Sequence, residues 1–407
     1  MESPPPRPPL SARERLEAAA ERAARIPGLA LPGIAAVRFF FLLDKACGRV
    51  FLRLAHGPGF APCDVDVPRA GPGAPRIVHA IGNMATGGSA RLVADLCSGL
   101  GREFAQEVVT WQAPDPPHYI GLPLFQKRAT LRPGEILEHF RGYKPDIIHV
   151  HYWDHPGDRA WYEQVFYAAG RWGAPVVENV NVPCGPLPHP AVRAYVYVSD
   201  WVRRTHGGVG GCERVIYPGT DLSLFSPPKD APEPGPTAGM VYRLDRDKLG
   251  RRSVDPLVLL ARQNPRARVL VAGFGPLAGA FARAARKAGV ARRFTFLGTV
   301  PYARLRWVYA RMAVFCAPVV AESFGSTAVH AMAMGVPVAG WAAGALPEVA
   351  GDAGLLAEPG DAPGLARLML DLLEDPARRK SLGEKAARRA AENFSLQGML
   401  SSYRKLS

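Results

Sequence analysis

Two short segments in the second half of the chain have residue types that could bind a phosphate and a sugar together. The first, Glu322-Ser323-Phe324-Gly325-Ser326, follows an apolar run and precedes a predicted helix. A carboxylate in that position can accept hydrogen bonds from sugar hydroxyls, and the backbone amides at a helix N-terminus favour a phosphate. The alternative is a glutamate that only complements the helix dipole.

The second segment carries Arg243 and Lys248 directly after the first predicted strand of the second half. A loop at the carboxyl end of a parallel strand points into the ligand-binding crevice of the sheet, so two cations there suit a diphosphate. A solvated turn is the alternative, and from spacing alone it is the more common one.

In the first half, Thr86-Gly87-Gly88-Ser89 lies between a predicted strand and a predicted helix. Gly87 and Gly88 let a ligand approach the backbone closely, although an ordinary tight turn explains them equally well. The segment is not a P-loop, because no Gly-Lys-Ser/Thr follows. Gly273-Phe274-Gly275-Pro276 begins like a dinucleotide fingerprint, but Ala278 stands at the third glycine position and no acidic residue is well placed for a ribose. An NAD-dependent enzyme is therefore the least favoured class.

No metal or other cofactor is expected from the sequence. Asp245-Arg246-Asp247 and Asp64-Val65-Asp66 have the DxD spacing with which some sugar transferases hold a divalent metal. Basic side chains surround the first pair and prolines flank the second, so both are interpreted as solvated carboxylates. The six cysteines are scattered, without a CxxC pair or zinc spacing, which is typical of reduced thiols.

Alternating strand and helix patterns predict an α/β fold with two doubly wound parallel sheets. The first pattern begins at residue 76, a proline-rich break falls at 226–236, and the pattern then restarts. A cleft between two such domains would bring the loops at the carboxyl ends of both sheets together. The predicted strands are 76–81, 107–111, 146–151, 175–180 and 194–199 in the first domain, and 239–244, 268–273, 294–298, 313–318 and 336–341 in the second.

Residues 1–75 are interpreted as an N-terminal extension with a disordered proline-rich tail, helices and a Pro/Gly linker. The apolar segment 34–54 is interrupted by five charged residues, so it is too polar to span a membrane. It is expected to lie on an anionic membrane surface or, as the favoured alternative, to pack on the protein's own core. The N-terminus lacks a secretory pattern, which predicts a cytoplasmic protein, peripheral on the inner face of the plasma membrane if 34–54 binds lipid.

The charge of the chain is its one compositional extreme. There are 50 basic and 36 acidic residues, a net charge of +14. Arginine, the side chain best shaped for phosphate and carboxylate, supplies most of the basic residues. They recur along most of the chain instead of forming a stripe with interleaved aromatic residues, so no nucleic-acid partner is expected.

The run from Val314 to Asp361 closely resembles the C-terminal domain of the retaining glycosyltransferases of family 4, which have the GT-B fold. It reads VFCAPVVAESFGSTAVHAMAMGVPVAGWAAGALPEVAGDAGLLAEPGD. Shorter segments agree with the family in the same order along the chain. They are PDIIHVHYWD at 145–154, VIYPGTDLSLFSP at 215–227, VYRLDRDKLG at 241–250 and FLGTVPYARL at 296–305. The resemblance covers residues 76–400.

The resemblance implies transfer of a hexose from a UDP- or GDP-sugar, with retention at the anomeric carbon and without a required metal. It implies an acceptor domain at 76–226, a nucleotide-sugar domain at 237–395 and a helix at 396–407 that returns to the first domain. The implied acceptor is a glycan, a lipid-linked sugar or another cell-surface precursor. By position, the implied catalytic residues are Arg243 and Lys248 at the diphosphate, Glu322 at the donor sugar and His151 beside the donor. The backbone amides of Phe324, Gly325 and Ser326 would assist at the diphosphate, and Gly87 and Gly88 would let backbone amides approach the donor and the acceptor.

One position departs from the family pattern. The family commonly has a second glutamate in an E-x7-E spacing, which contacts the ribose, and His330 stands there in this chain. A neutral imidazole cannot offer a bidentate carboxylate to two hydroxyls. Altered donor preference, weak activity and a noncatalytic GT-B protein that binds a nucleotide sugar or glycan are therefore open. A sugar-nucleotide epimerase on the same fold is a separate alternative. Because Glu322, Arg243, Lys248 and the glycine loop are all present, we expect an active transferase.

Overall fold

The computed structural model describes residues 62–114, 117–126, 134–154, 156–228 and 233–406. Two parallel sheets with flanking helices account for most of this chain. Within the described ranges, no helix is both long enough and apolar enough to cross a membrane. The predictions for residues 1–61, including the segment 34–54, fall outside the described residues.

The first sheet is built from the N-terminal half of the described chain. Its strands are β2 (Arg76–Asn83), β3 (Ala105–Gln112), β5 (Leu124–Gln126), β6 (Ile147–Tyr152), β7 (Val176–Val180), β8 (Val192–Tyr197) and β9 (Cys212–Val215), and a separate pair is formed by β1 (Cys63–Asp64) and β4 (Tyr119–Ile120). The seven strands are parallel in the order β5-β3-β2-β6-β7-β8-β9. The central residues of β2 are buried throughout, as expected for a strand covered by helices on both faces. The helices are α1 (Gly88–Leu100), α2 (Glu135–Tyr143), α3 (Pro156–Trp172) and α4 (Asp200–His206).

The second sheet has six parallel strands in the order β12-β11-β10-β13-β14-β15. In chain order these are β10 (Thr237–Val241), β11 (Arg268–Ala272), β12 (Phe294–Gly298), β13 (Val314–Ala317), β14 (Val338–Trp341) and β15 (Gly354–Ala357). The helices are α5 (Asp255–Gln263), α6 (Ala278–Lys287), α7 (Leu305–Tyr309), α8 (Ser326–Ala333), α9 (Leu346–Ala350), α10 (Ala362–Glu374) and α11 (Pro376–Asn393). One large apolar core lies between this sheet and its helices.

The last helix, α12 (Leu396–Arg404), packs on the first sheet's side of the molecule. Met399, Leu400 and Tyr403 share an apolar cluster with Leu92 and Leu96 of α1. Where the chain returns, the Thr220 amide donates to the Phe394 carbonyl and the Leu396 amide donates to the Thr220 carbonyl (2.8 and 2.9 Å). The C-terminus thus ties the two sheets together at a second place besides the linker.

The prediction of two doubly wound parallel sheets is confirmed. Every predicted strand corresponds to an observed one, although the strand predicted at 239–244 ends at Val241. The strands that the sequence did not indicate are short. β9 has four residues, which are at most partly buried and include no continuous apolar run, and β15 is an apolar segment of only four residues. Cys63, Cys97, Cys184, Cys212 and Cys316 are free thiols in the described chain.

Candidate active site

Lys248 and Glu322 form an ion pair beyond the carboxyl ends of the central strands of the second sheet. The distance from Lys248 Nζ to Glu322 Oε1 is 2.6 Å. The Glu322 side chain is 1% exposed, whereas that of Lys248 is 36% exposed. Glu322 Oε2 is buried and has no hydrogen-bond partner among the residues that the structure describes. A buried acceptor without a donor is costly, so this oxygen is well suited to a ligand hydroxyl.

Backbone contacts hold this pair in place. The Val320 amide donates to the Lys248 carbonyl at 2.8 Å, and the Ala345 amide donates to the Glu322 carbonyl at 2.9 Å. Gly344 has φ of +58°, and a Cβ built there would lie 2.1 Å from the Glu322 carbonyl oxygen. Only glycine therefore allows the loop after β14 to approach Glu322 this closely.

The segment after Glu322 presents backbone amides at the start of α8. Gly325 is the residue before the helix, with φ of 108°, and no side chain caps this end. Ser326 begins the helix, so its amide lies at the positive end of the helix dipole. The Phe324 ring is buried and stacks on Tyr217 with 5.9 Å between ring centroids, which leaves only the Phe324 backbone for a ligand.

Arg243 is held less firmly than Lys248. Its Nη2 lies 2.5 Å from Asp247 Oδ2, and both side chains are about half exposed. Asp247, the second carboxylate of the Asp245-Arg246-Asp247 segment, therefore neutralises the Arg243 guanidinium. A phosphate at Arg243 would have to share the guanidinium with Asp247.

The glycine loop of the first sheet leaves room at its backbone. Gly87 precedes α1 in an extended conformation, and no side chain caps the helix. A Cβ on Gly88 would meet no atom within 4 Å, and the nearest atom to a Cβ on Gly87 would be 3.9 Å away. The surrounding protein would therefore leave room for a side chain at either position. The same room lets a ligand approach the backbone of the loop.

Arg91, in the first turn of α1, links this loop to the second sheet's domain. Its guanidinium carbon lies 4.2 Å from the centroid of the Tyr302 ring, and its Nη2 is 2.5 Å from Asp95 Oδ1. This cation–π contact joins the two domains beside the glycine loop. Arg91 was not predicted from the sequence, although a cation just after a glycine loop is a signal that could have indicated it.

His330 lies in an aromatic enclosure. Its ring stacks on Phe225 at 3.9 Å with an interplanar angle of 3°, and the edges of Tyr302 and Tyr309 complete the enclosure. Burial, with a contribution from Arg91, lowers the pKa of His330 to about 3. The imidazole is therefore neutral near pH 7, and its buried Nδ1 has no hydrogen-bond partner within the described part of the chain.

His151 lies at the end of β6 with its side chain fully buried. Its Nε2 is 3.2 Å from His79 Nδ1. Burial, together with the neighbouring His149 and His79, holds the pKa of His151 well below the ordinary value. Contact between His151 and a donor sugar stays a prediction.

Glu348, which the sequence analysis did not single out, joins the two domains. Its carboxylate accepts hydrogen bonds from the Asp200 and Trp201 amides at the start of α4 (2.8 and 2.7 Å). It also accepts one from Tyr217 Oη at 2.8 Å. A carboxylate of the second domain thus caps a helix of the first.

The described chain has two doubly wound parallel sheets, with the buried Glu322 and its partner Lys248 beyond the second one. The glycine loop of the first sheet lies beside Arg91, which contacts Tyr302 of the second domain. This is the arrangement of the GT-B glycosyltransferases. Solved structures of this class show the same fold. Sucrose-phosphate synthase from Thermosynechococcus elongatus aligns with a TM-score of 0.65 at 22% identity, covering 82% of this chain and 98% of that one. HepE from Anabaena, in complex with UDP and glucose, gives 0.68 at 16% identity, covering 81% and 98%.

Residues 237–375 match the family model described as glycosyl transferases group 1. The D-inositol 3-phosphate glycosyltransferase of Rhodococcus opacus is 31% identical over 320 residues, 66% of this chain and 69% of the relative. The 2-deoxystreptamine glucosyltransferase of Streptomyces kanamyceticus is 36% identical over 147 residues, 36% of this chain and 38% of the relative. The chain belongs to the group 1 glycosyltransferases and is an enzyme of that family.

Proposed function

We propose that the enzyme transfers a hexose from a UDP-sugar to a hydroxyl acceptor with retention of anomeric configuration and without a metal at the diphosphate. The observation that carries this proposal is Glu322 Oε2, a buried carboxylate oxygen without a donor within the described chain, beside the partly exposed side chain of Lys248. A hexose hydroxyl is the kind of donor that this oxygen needs.

The position of the cations supports a diphosphate leaving group. Lys248 is fixed by Glu322 and the α8 amides lie in the next segment, so positive charge is arranged before the donor binds. Preorganised donors and cations stabilise a departing anion without reorganising during the reaction. Arg243 would add a second cation after weakening its contact with Asp247. The HepE structures with UDP and with UDP-glucose favour uracil over guanine as the base tested first.

The proposed reaction needs no protein side chain to act as a base. The bond from the anomeric carbon to the diphosphate oxygen breaks, and a bond from the same carbon to the acceptor oxygen forms on the same face. The acceptor proton passes to the departing phosphate oxygen. Lys248 and the amides of Phe324 to Ser326 would stabilise the negative charge of the leaving diphosphate.

The acceptor is proposed as a polyol hydroxyl. The names of the two relatives contain D-inositol 3-phosphate and 2-deoxystreptamine, which are both cyclitols. A cyclitol therefore belongs in the acceptor panel beside the glycan and lipid-linked sugars that the sequence analysis suggested.

The test is a panel of UDP- and GDP-hexoses with these acceptors, in which released nucleotide and glycosylated product are both measured. We expect turnover with a UDP-sugar, and a product whose anomeric configuration matches that of the donor. Glu322→Gln and Lys248→Met should each lower kcat/KM by about a hundredfold or more.

Glu358→Gln and Lys385→Met are matched controls, because they make the same changes at exposed positions of the same domain. Both should leave the rate unchanged. If the two site variants retain the full rate on every donor that the wild type uses, the assigned site is wrong. A product with inverted configuration would refute retention but not the site.

A further inference from the structure

The strand pair β1–β4, which is separate from the first sheet, lies against the start of α1. His118 immediately precedes β4, and its carbonyl accepts a hydrogen bond from the Cys63 amide at 2.9 Å. Cys63 is paired with Tyr119 in parallel register. Tyr119 in turn shares an apolar cluster with Ala90 and Val93 of α1. The pair is therefore packed beneath the helix that follows the glycine loop.

The His118 side chain bonds directly to the backbone of the glycine loop. The Thr86 amide donates to His118 Nδ1 at 2.8 Å, and the Thr86 hydroxyl lies 2.9 Å from the same nitrogen. His118 is only 5% exposed, so water competes little for this bond. A buried side chain thus fixes the loop backbone at Thr86, although the two residues are 32 positions apart in the chain.

A second contact joins the β1–β4 pair to the first turn of α1. Arg91 Nη1 lies 3.4 Å from Cys63 Sγ. Since Cys63 and His118 are linked through their backbones, the contacts at Arg91 and Thr86 belong to one rigid unit. The glycines between Thr86 and Arg91 are therefore held from both sides.

Only some backbone amides of this region are open to a ligand. The amides of residues 84–86 donate to groups of the protein at 2.8 to 3.1 Å. The first bond of α1 runs from the Arg91 amide to the Gly87 carbonyl, and no side chain of the described chain caps the helix. The amides of residues 88–90 have no acceptor within a helix that begins there. They are the amides that the loop can offer to a substrate.

We propose that His118 is a positioning residue for the transfer reaction, which fixes Thr86 and thereby aims the amides of residues 88–90 at the substrates. His118 acts through the loop and not by contact with a substrate. The inference rests on the proposed function, in which the glycine loop approaches the donor and the acceptor. A misplacement of about 1 Å in a positioned group can cost up to about a hundredfold in rate.

Three variants of the full-length chain test this role. His118→Leu removes the acceptor of the Thr86 amide, whereas His118→Asn keeps an acceptor close to the position of Nδ1. His189→Leu is the matched control, because the Ala191 amide donates to His189 Nδ1 at 3.2 Å in another loop of the same domain. It loses the same kind of bond without touching the glycine loop.

Hydrogen–deuterium exchange tests the bond without turnover. The Thr86 amide should be protected in the wild type, and His118→Leu should speed its exchange about tenfold. His118→Asn and His189→Leu should leave the protection in place. An unprotected Thr86 amide in the wild type would overturn the proposal. This wild-type measurement keeps the test decisive even if His118→Leu fails to fold.

Steady-state kinetics test the use of the loop in the reaction. His118→Leu should lower kcat about tenfold or more, with less than about a twofold change in the KM for the donor, because Lys248 and Glu322 of the second domain are left intact. His118→Asn should restore most of the rate, and His189→Leu should leave it unchanged. A purely structural role predicts equal rates for His118→Leu and His189→Leu once both proteins are folded.

Faster exchange at Thr86 together with an unchanged kcat in His118→Leu would overturn the proposal, because the loop would then be held without being used. Failure of the proposed function has a different signature. In that case the wild type turns over no donor, or Glu322→Gln and Lys248→Met keep the full rate. The exchange of the Thr86 amide would still show whether His118 holds the loop.

Discussion

Removing the His330 imidazole should make the protein less sensitive to acid. In the unfolded chain this group has the ordinary pKa of 6.5, whereas in the folded chain burial lowers the pKa to about 3. Between these values the unfolded chain binds a proton that the folded chain does not. The free energy of unfolding therefore falls as the pH drops below 6.5, with a slope of about 1.4 kcal/mol per pH unit from this group.

At about pH 5 the loss from His330 amounts to about 2 kcal/mol relative to about pH 8. His330→Phe keeps an aromatic ring against Phe225 but cannot bind a proton. The wild type should therefore lose about 2 kcal/mol more than the variant between those two pH values. The other buried histidines, such as His79 with its pKa lowered to about 4, are present in both proteins and cancel in the difference.

The assay is urea unfolding followed by tryptophan fluorescence at both pH values. Tyr309→Phe is the control, because it removes the hydrogen bond from Tyr309 Oη to the Thr327 carbonyl and leaves His330 in place. It should lower the free energy of unfolding by about 1 kcal/mol equally at both pH values. If the free energy of unfolding falls by the same amount in the wild type and in His330→Phe on acidification, the conclusion that His330 is a neutral, enclosed imidazole is wrong.

Two further predictions concern the backbone around the site and the contact between the domains. Gly344→Ala should lower both kcat and the free energy of unfolding, because the new Cβ would displace the Glu322 backbone at a residue with φ of +58°; urea unfolding and the transfer assay measure the two effects, and full activity would contradict the prediction. Glu348→Gln should reduce the free energy of unfolding by about 1.5 to 3 kcal/mol, because the bonds to two amides and a tyrosine lose their charged acceptor. An unchanged urea midpoint for this variant would show that the cap contributes nothing.

The sequence was sufficient for the elements whose signal is local. The central strands are continuous apolar runs, and the segments around Lys248 and Glu322 are recognisable from residue type and from their place after a strand. That these two side chains bond directly could not be predicted. It depends on backbone contacts such as those of Val320 and Ala345 with the loops that carry the pair.

Features that are assembled from distant parts of the chain could not be predicted from the sequence. His149 and His151 have a visible spacing, but His79 is on another strand and only the strand order β2-β6 brings it beside them. The partners of His330 are similarly spread, since Phe225 lies before the linker and Tyr302 follows β12. The spacing of residues along the chain does not show which distant residues become neighbours in the folded protein.

The two cations assigned to the diphosphate, Lys248 and Arg243, differ in how their carboxylate partners hold them. This difference matters more for the reaction than the net charge of the chain. Lys248 is fixed by a carboxylate that is itself buried, so its ammonium is already in position when a donor binds. Arg243 is paired with an exposed aspartate, and a bound phosphate has to compete with that partner. Preorganised charge stabilises a leaving group more effectively than charge that must reorganise. The excess of basic residues in the composition therefore says little about the reaction, whereas the burial of a single glutamate decides which cation can contribute most to it.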